Sequence, residues 1–138
     1  MRFAGRVFRA GGYWAVEVPI LGVVTQGRTK KDALEMVADA VESLANRPGF
    51  KIDVFPGVGE HFEVGAADQA TLIALLLRRA RQSAGLSLAE VAQRLGSTSV
   101  NAYARYEQGR SVPSVQKLSQ LFAAVTSHRD LVLVESEA

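Results

Sequence analysis

The sequence predicts an α+β fold in two parts. A small N-terminal strand-strand-strand-helix-strand layer is followed by an all-helical bundle and a short C-terminal strand. Three observations predict it. Through the first half, apolar residues alternate with polar ones in short runs punctuated by glycine, the period-2 pattern of half-buried strands. From Asp68 to Val125 the apolar spacing changes to three and four, which is the pattern of amphipathic helices. Between them Gly65-Ala66-Ala67 has the composition of a boundary, and it divides the chain into domains 1–66 and 67–138.

The first half reads as follows. Residues 2–9 and 13–18 are strands separated by Ala10-Gly11-Gly12, a hairpin signal. In the second strand Trp14, Val16 and Val18 share one face, and Tyr13, Ala15 and Glu17 share the other. Pro19 ends that strand because it has no N–H for a ladder. Ile20 to Gln26 gives a third strand. Thr29 caps a helix, with Asp32 three residues on, and Ala33, Leu34, Val37, Ala38, Val41, Leu44 and Ala45 form its apolar stripe. Asn46-Arg47-Pro48-Gly49 stops it. Phe50, Ile52 and Val54 alternate with Lys51 and Asp53 as a fourth strand, and Phe62 to Val64 continues the sheet after a turn. One helix covers only one sheet face, so the other face or an edge is left for a partner.

In the second half Asp68 caps a helix over 69–83 with Leu72, Leu75, Leu76 and Ala80 on its inner face, and Gly85 ends it. Ser87 and Glu90 have the spacing of a capping box, which starts a helix carrying Leu88, Val91, Ala92 and Leu95. Gly96 ends that helix by taking the left-handed conformation. The next helix runs to Gln108 and is stopped by Gly109 and Pro113, after which Ser114 caps a last helix lined by Val115, Leu118, Leu121, Phe122 and Val125. Leu131 to Val134 (LVLV) reads as a strand that cannot be stable alone. It must pair with the first domain's sheet or with its counterpart in a second chain, and the second chain is the favoured partner.

Composition bounds the function. The 138 residues are 48% apolar, enough for a packed core, and none is cysteine, so disulfides and cysteine metal sites drop out. No apolar run approaches the roughly 18 residues of a membrane span. Arg2, Arg6 and Arg9 interrupt any secretion-signal pattern, so a cytoplasmic location is expected. The net charge of +2 hides an asymmetry: residues 1–66 are neutral, whereas residues 69–129 carry eight basic groups against Glu90 and Glu107 alone, a net of +6. The excess sits on a helix, a tight turn and a second helix, an arrangement that places a recognition helix in a DNA major groove.

Within that motif Tyr103 and Tyr106, three apart, are expected to pack inward. This turns Asn101 and Arg105 together to the outer face. Asparagine can bind adenine N6/N7 and arginine guanine O6/N7, each bidentately, and Val100 is placed to touch a thymine methyl. Ser99, Gln108 and Arg110 suit phosphates, which set register without reading sequence. A DNA reader of this kind needs a two-fold interface, so operator DNA and a homodimer or higher even oligomer are the expected partners. Arg81 and Glu107 each end a helix beside the turn, where a charge pair would lock the two helices together.

Residues from about Leu75 to Val125 resemble the lambda-repressor-like helix-turn-helix family, through GLSLAEVAQRLG, ARYEQGRSVPS and LSQLFAAV. Leu88 stands where many members carry a glutamine that touches DNA. The first half resembles the HicB antitoxin fold, through the hairpin into GYWAVEVP, the run LGVVTQGRTKKDALEMVADAVESL and the strand after it. HicB members usually have a second proline and a cysteine where this chain has Ile20 to Val23. The order of the two resemblances is that of HicB antitoxins with a C-terminal DNA-binding domain. It implies a partly RNase-H-like fold that inhibits a HicA-type toxin, a small ribonuclease acting on mRNA, and represses the operon encoding both.

No catalytic, metal or cofactor site is expected. A nuclease would need several carboxylates converging on metal ions. Glu17 and Asp53 are expected on separate strands facing solvent, and Asp32, Glu35, Asp39 and Glu42 on the wet face of a helix. His61 and His128 have no ligand-spaced neighbours, and no serine sits in a nucleophile elbow. A stand-alone repressor whose first domain senses a small ligand is the alternative reading.

Overall fold

A computed structural model describes residues 1–137. The chain forms two compact units, one from residues 1–68 together with residues 135–137, the other from Gln69–Val134. The sequence boundary at 66/67 falls two residues earlier, and the last residues return to the first unit instead of staying with the second.

The N-terminal unit is an antiparallel five-stranded sheet with one helix. Strands β1 (Arg2–Ala10), β2 (Tyr13–Val18) and β3 (Val23–Gly27) precede α1 (Lys30–Ala45), and β4 (Asp53–Pro56) and β5 (His61–Gly65) follow it. The sheet order is β3-β2-β1-β5-β4, so β1 is central and the short β4 is an edge. β4 starts at Asp53, later than the alternation from Phe50 predicts. Phe50 and Ile52 are buried, at 6% and 8% exposure, but they approach the sheet as irregular chain. Pro19–Leu21 forms one turn of 3-10 helix that buries Leu21, which delays β3 to Val23.

α1 begins at Thr29, whose hydroxyl accepts from the Asp32 N–H at 3.0 Å, and Asp32 reaches back to the Arg28 N–H at 2.9 Å. It buries Ala33, Val37, Val41 and Ala45. The facing sheet residues include Phe3, Val7, Val16, Val18, Val23, Phe62 and Val64, all buried. Two glycines set the spacing. A Cβ on Gly27 would lie 2.4 Å from the Ala33 nitrogen, and one on Gly5 would lie 2.2 Å from the Phe62 ring. Side chains there would push the helix off the sheet and Phe62 out of its place.

The opposite sheet face is built from Arg2, Ala4 and Arg6 of β1, His61 and Glu63 of β5, and Phe55 of β4. The Arg2 guanidinium lies 3.5 Å from the Phe55 ring centroid, and that of Arg6 lies 4.1 Å from Phe8. Glu63 is only 6% exposed although charged. Arg2 Nη1 donates to it at 3.3 Å, His61 Nε2 lies 3.3 Å away, the Ser136 hydroxyl donates to Oε1, and the Glu137 N–H donates to Oε2 at 3.1 Å. Arg2 Nη1 also donates to the Ser136 hydroxyl at 3.1 Å. The Ser136 bond above all holds the Glu63 carboxyl down to about 2 from the ordinary 4.5, against the opposing effect of burial. Residues 135–137 are thus fastened to the sheet by a clasp around one carboxylate.

The second unit contains α2 (Gln69–Ser83), α3 (Leu88–Arg94), α4 (Val100–Glu107) and α5 (Val115–Val125). Its core is one cluster of Ile73, Leu77, Val91, Tyr103, Leu118, Leu121, Ala124 and Val125, with Ala80, Leu86, Leu88, Leu95, Tyr106 and Leu131 packed against it. α2 therefore gives Ile73, Leu77 and Ala80 to this cluster, whereas the sequence pattern selects Leu72, Leu75, Leu76 and Ala80. All of Thr71 to Leu77 is buried, and a stretch that is apolar all round, as Leu72 to Leu77 is, does not announce which side meets which neighbour. Val115, expected in the core, is 75% exposed in the first turn of α5.

The expected C-terminal strand does not form in the single chain. Leu131 is half-buried, whereas Val132, Leu133 and Val134 are 82%, 87% and 79% exposed and in no strand. Their continuous apolar run suits a strand, but this segment joins no edge of the five-stranded sheet. The α+β class itself holds.

Candidate nucleic-acid interface

The interface begins with what fixes α3 and α4. Ser87 Oγ accepts from the Glu90 N–H at 3.1 Å while Glu90 Oε1 accepts from the Ser87 N–H at 3.2 Å, a complete capping box. At the other end the Gly96 N–H donates to Gln93 O and the Ser97 N–H to Ala92 O, both at 3.0 Å, with Gly96 at φ +70°. This closure needs a left-handed residue, and only glycine adopts it without strain. The chain then turns through Ser97 to Ser99. Ser97 Oγ accepts from the Ser99 N–H and donates to Ser99 O, so the turn is tied to itself and α4 has no side-chain cap.

α4 is held from behind. Tyr103 is 1% exposed inside the core, and Tyr106 packs half-buried against the same cluster. Glu107, at the end of α4, takes a two-pronged grip from Arg81 at the end of α2: Nε to Oε2 at 2.7 Å and Nη2 to Oε1 at 2.9 Å. Arg81 Nη1 donates to Leu86 O at 2.9 Å, so one guanidinium joins α2, α4 and the loop before α3. Planar fork-to-fork pairing of this kind fixes orientation as well as distance. The pairing with Glu107 raises the Arg81 pKa further above its ordinary value. The Tyr103 hydroxyl is buried beside Glu107, and burial first, then its hydrogen bonding to Glu107, push its ionisation well above the phenol range. Arg94 adds a tie, donating to the Ala124 and Thr126 carbonyls at 3.2 and 3.5 Å.

With its back fixed, α4 turns the expected residues outward. Asn101, Arg105 and Gln108 are exposed and fall at i, i+4 and i+7, one stripe of a helix. Val100 is 39% exposed at the helix start, beside the exposed Ser99. Arg110 is exposed just past Gly109, where its N–H closes the helix on Arg105 O at 3.2 Å. Among the described residues no ion pair engages the Asn101, Arg105 or Arg110 side chain. The structure thus brings the six sequence-selected residues to the solvent side of α4 and its two flanks. The chemistry available there is a bidentate amide and a bidentate guanidinium on the helix, with polar and cationic groups at its ends.

Sequence reasoning missed two residues of this unit. Ala102 is exposed beside Asn101, and its small side chain leaves that part of the helix surface unobstructed. Arg94 also went unnoticed, because its partners are backbone carbonyls, which have no sequence signature. In the N-terminal unit the missed residue is Glu63, whose partners Ser136 and Glu137 lie 73 and 74 positions away.

Among the described residues no group of three or more histidine, aspartate or glutamate side chains is placed to hold a metal ion, and no helix is long and apolar enough to cross a membrane. No curated protein matches the sequence. A family model described as a helix-turn-helix domain matches residues 72–132, which span most of α2 and all of α3, α4 and α5. The second unit is therefore a helix-turn-helix domain, and DNA binding in the regulation of transcription is the function it supports.

Proposed function

We propose that the protein is the antitoxin of a two-gene toxin–antitoxin pair, of the HicB kind, and represses its own operon. In this reading the helix-turn-helix unit binds operator DNA as a homodimer or higher even oligomer, with Asn101 and Arg105 reading base edges, Val100 against a thymine methyl, and Ser99, Gln108 and Arg110 on phosphates. The N-terminal unit binds and occludes a HicA-type mRNA-cleaving toxin. It performs no catalysis of its own and takes no cofactor. The observation that supports this reading best is the division of labour along the chain: a basic helix-turn-helix domain follows a neutral five-stranded sheet covered by one helix.

The experiment is co-expression with a small basic protein encoded beside it. Rescue from growth arrest, co-purification of the pair and cessation of mRNA cleavage support the reading. A neighbouring gene product that neither binds nor arrests growth overturns it.

A second reading, a stand-alone ligand-sensing repressor, draws on one feature. Leu34 and Ala38 of α1 with Val54 and Pro56 of β4 line an open apolar groove of about 570 Å³, rimmed by Lys30, Lys31 and Glu35. That volume lies within the range of small-molecule sites. Operator binding that responds to a metabolite with no protein partner selects this alternative.

A further inference from the structure

We propose that residues 135–137 form an exchangeable tail: in the dimer, each chain's Ser136 and Glu137 dock on the Arg2–Glu63 clasp of a second copy. This rests on the dimer in the functional reading above and names the contact that joins its two chains.

Three observations converge on it. The first is the clasp. Glu63 is a nearly buried carboxylate whose two oxygens are served by the Ser136 hydroxyl and the Glu137 N–H, with Arg2 bonded to both Glu63 and Ser136. Its recognition is short and self-contained, a hydroxyl followed by the next residue's N–H, so the same bonds form whichever chain supplies the tail. The second is the segment leading into it. Val132, Leu133 and Val134 are among the most exposed apolar side chains of the protein, and among the described residues nothing covers them. In an exchanged pair two such segments run antiparallel past each other, so each covers the other's side chains while the clasp bonds are kept. The third is the hinge. No helix or strand is present from Ser127 to Glu137, and His128 is held at φ +57°, a left-handed conformation unfavourable for a residue with a Cβ. Opening this turn relieves that strain and gives up the bonds of the His128 N–H to the Ala123 and Thr126 carbonyls and of the Arg129 N–H to Thr126 Oγ1. Exchange of an identical element across a hinge is a low-cost route to a dimer because the clasp contacts themselves are remade by the second chain's tail.

The absence of cysteine makes the test clean. Ala4 is exposed on the clasp face, in register with Glu63, and Glu137 enters the clasp through its backbone alone, so A4C and E137C leave the clasp bonds in place. The double variant A4C/E137C establishes that the two positions are in disulfide reach. Full-length A4C and isotope-labelled E137C are then mixed, oxidised and analysed by mass spectrometry. The expected product is a mixed-isotope covalent dimer, and adding E63Q to the A4C chain lowers its yield by about tenfold or more, the loss of a charge-assisted bond. D53C, exposed on the same face, replaces A4C should that chain fail to fold. Protein that sediments as a dimer but forms no mixed disulfide overturns the exchange and leaves the dimer standing. Protein that stays monomeric overturns both.

Discussion

Glu107→Ala is the most informative single substitution. Glu107 is 7% exposed at its side chain and receives both arms of an Arg81 that is 16% exposed. Removing the carboxylate deletes two charge-assisted hydrogen bonds, at 2.7 and 2.9 Å, and leaves a largely buried guanidinium with Leu86 O as its remaining partner at 2.9 Å. Breaking a buried pair from one side costs about 3–5 kcal/mol. The retained carbonyl bond and the partial exposure of Arg81 place the expectation at the lower end, about 3 kcal/mol. For a unit of this size that corresponds to a fall in Tm of roughly 12–24 °C. The assay is urea and thermal denaturation followed by the helical circular dichroism signal, with Arg81→Met and the double variant R81M/E107L completing a cycle. Replacing both partners with apolar groups should recover most of the loss, because the penalty comes from the orphaned charge. A loss below about 1 kcal/mol, or a double variant as unstable as E107A, would refute the assignment of the pair as the lock between α2 and α4.

Further expectations follow for the interface and the sheet. Asn101→Ala and Arg105→Ala should each weaken binding to the operator by about 1–3 kcal/mol with little effect on unrelated DNA, whereas Arg110→Ala should weaken all sequences alike and reduce the salt slope by about 1; titrations at several salt concentrations separate the two behaviours. Gly27→Ala drives a Cβ into the Ala33 backbone, at 2.4 Å from its nitrogen, and should destabilise the N-terminal unit by about 1–3 kcal/mol in denaturant melts. Glu63, with its pKa lowered from 4.5 to about 2, stabilises the folded state fully above pH 4.5, and that contribution disappears as the pH falls toward 2. The protection factor of the Glu137 amide, taken against its intrinsic exchange rate at each pH, should therefore hold above pH 4.5 and fall progressively between there and about pH 2, and a titration midpoint near 4.5 for the Glu63 carboxyl carbon would contradict the clasp.

What the sequence revealed and what it hid divide along physical lines. The helix-turn-helix was legible because its determinants are local: Ser87 and Glu90 are three apart, Gly96 takes φ +70° within its own turn, and Tyr103 and Tyr106 lie on one side of a short helix. The same locality made Asn101 and Arg105 readable as the outer face. Determinants that act over distance were hidden. Leu72 to Leu77 is apolar all round, so periodicity selected Leu72 and Leu75 where the helical core takes Ile73 and Leu77. The alternation at Phe50 and Ile52 signalled burial correctly but could not tell a strand from an irregular approach to one. Leu131 to Val134 has the pattern of a strand without an edge to join. Glu63 reads as one more polar position on a strand, because the groups that make it special lie at the far end of the chain.

The clasp also imposes an order on folding. During synthesis residues 1–68 emerge first, and they contain every strand and the one helix of the N-terminal unit. Glu63 must then wait for more than seventy further residues before its hydroxyl and amide donors exist. The sheet is therefore assembled around a carboxylate that has Arg2 and His61 beside it but lacks its Ser136 and Glu137 donors until the helical unit has been made. Closing so long a loop is entropically slow. In that interval the docking position on β5 is open to any tail nearby, including one from a chain being completed on the same message.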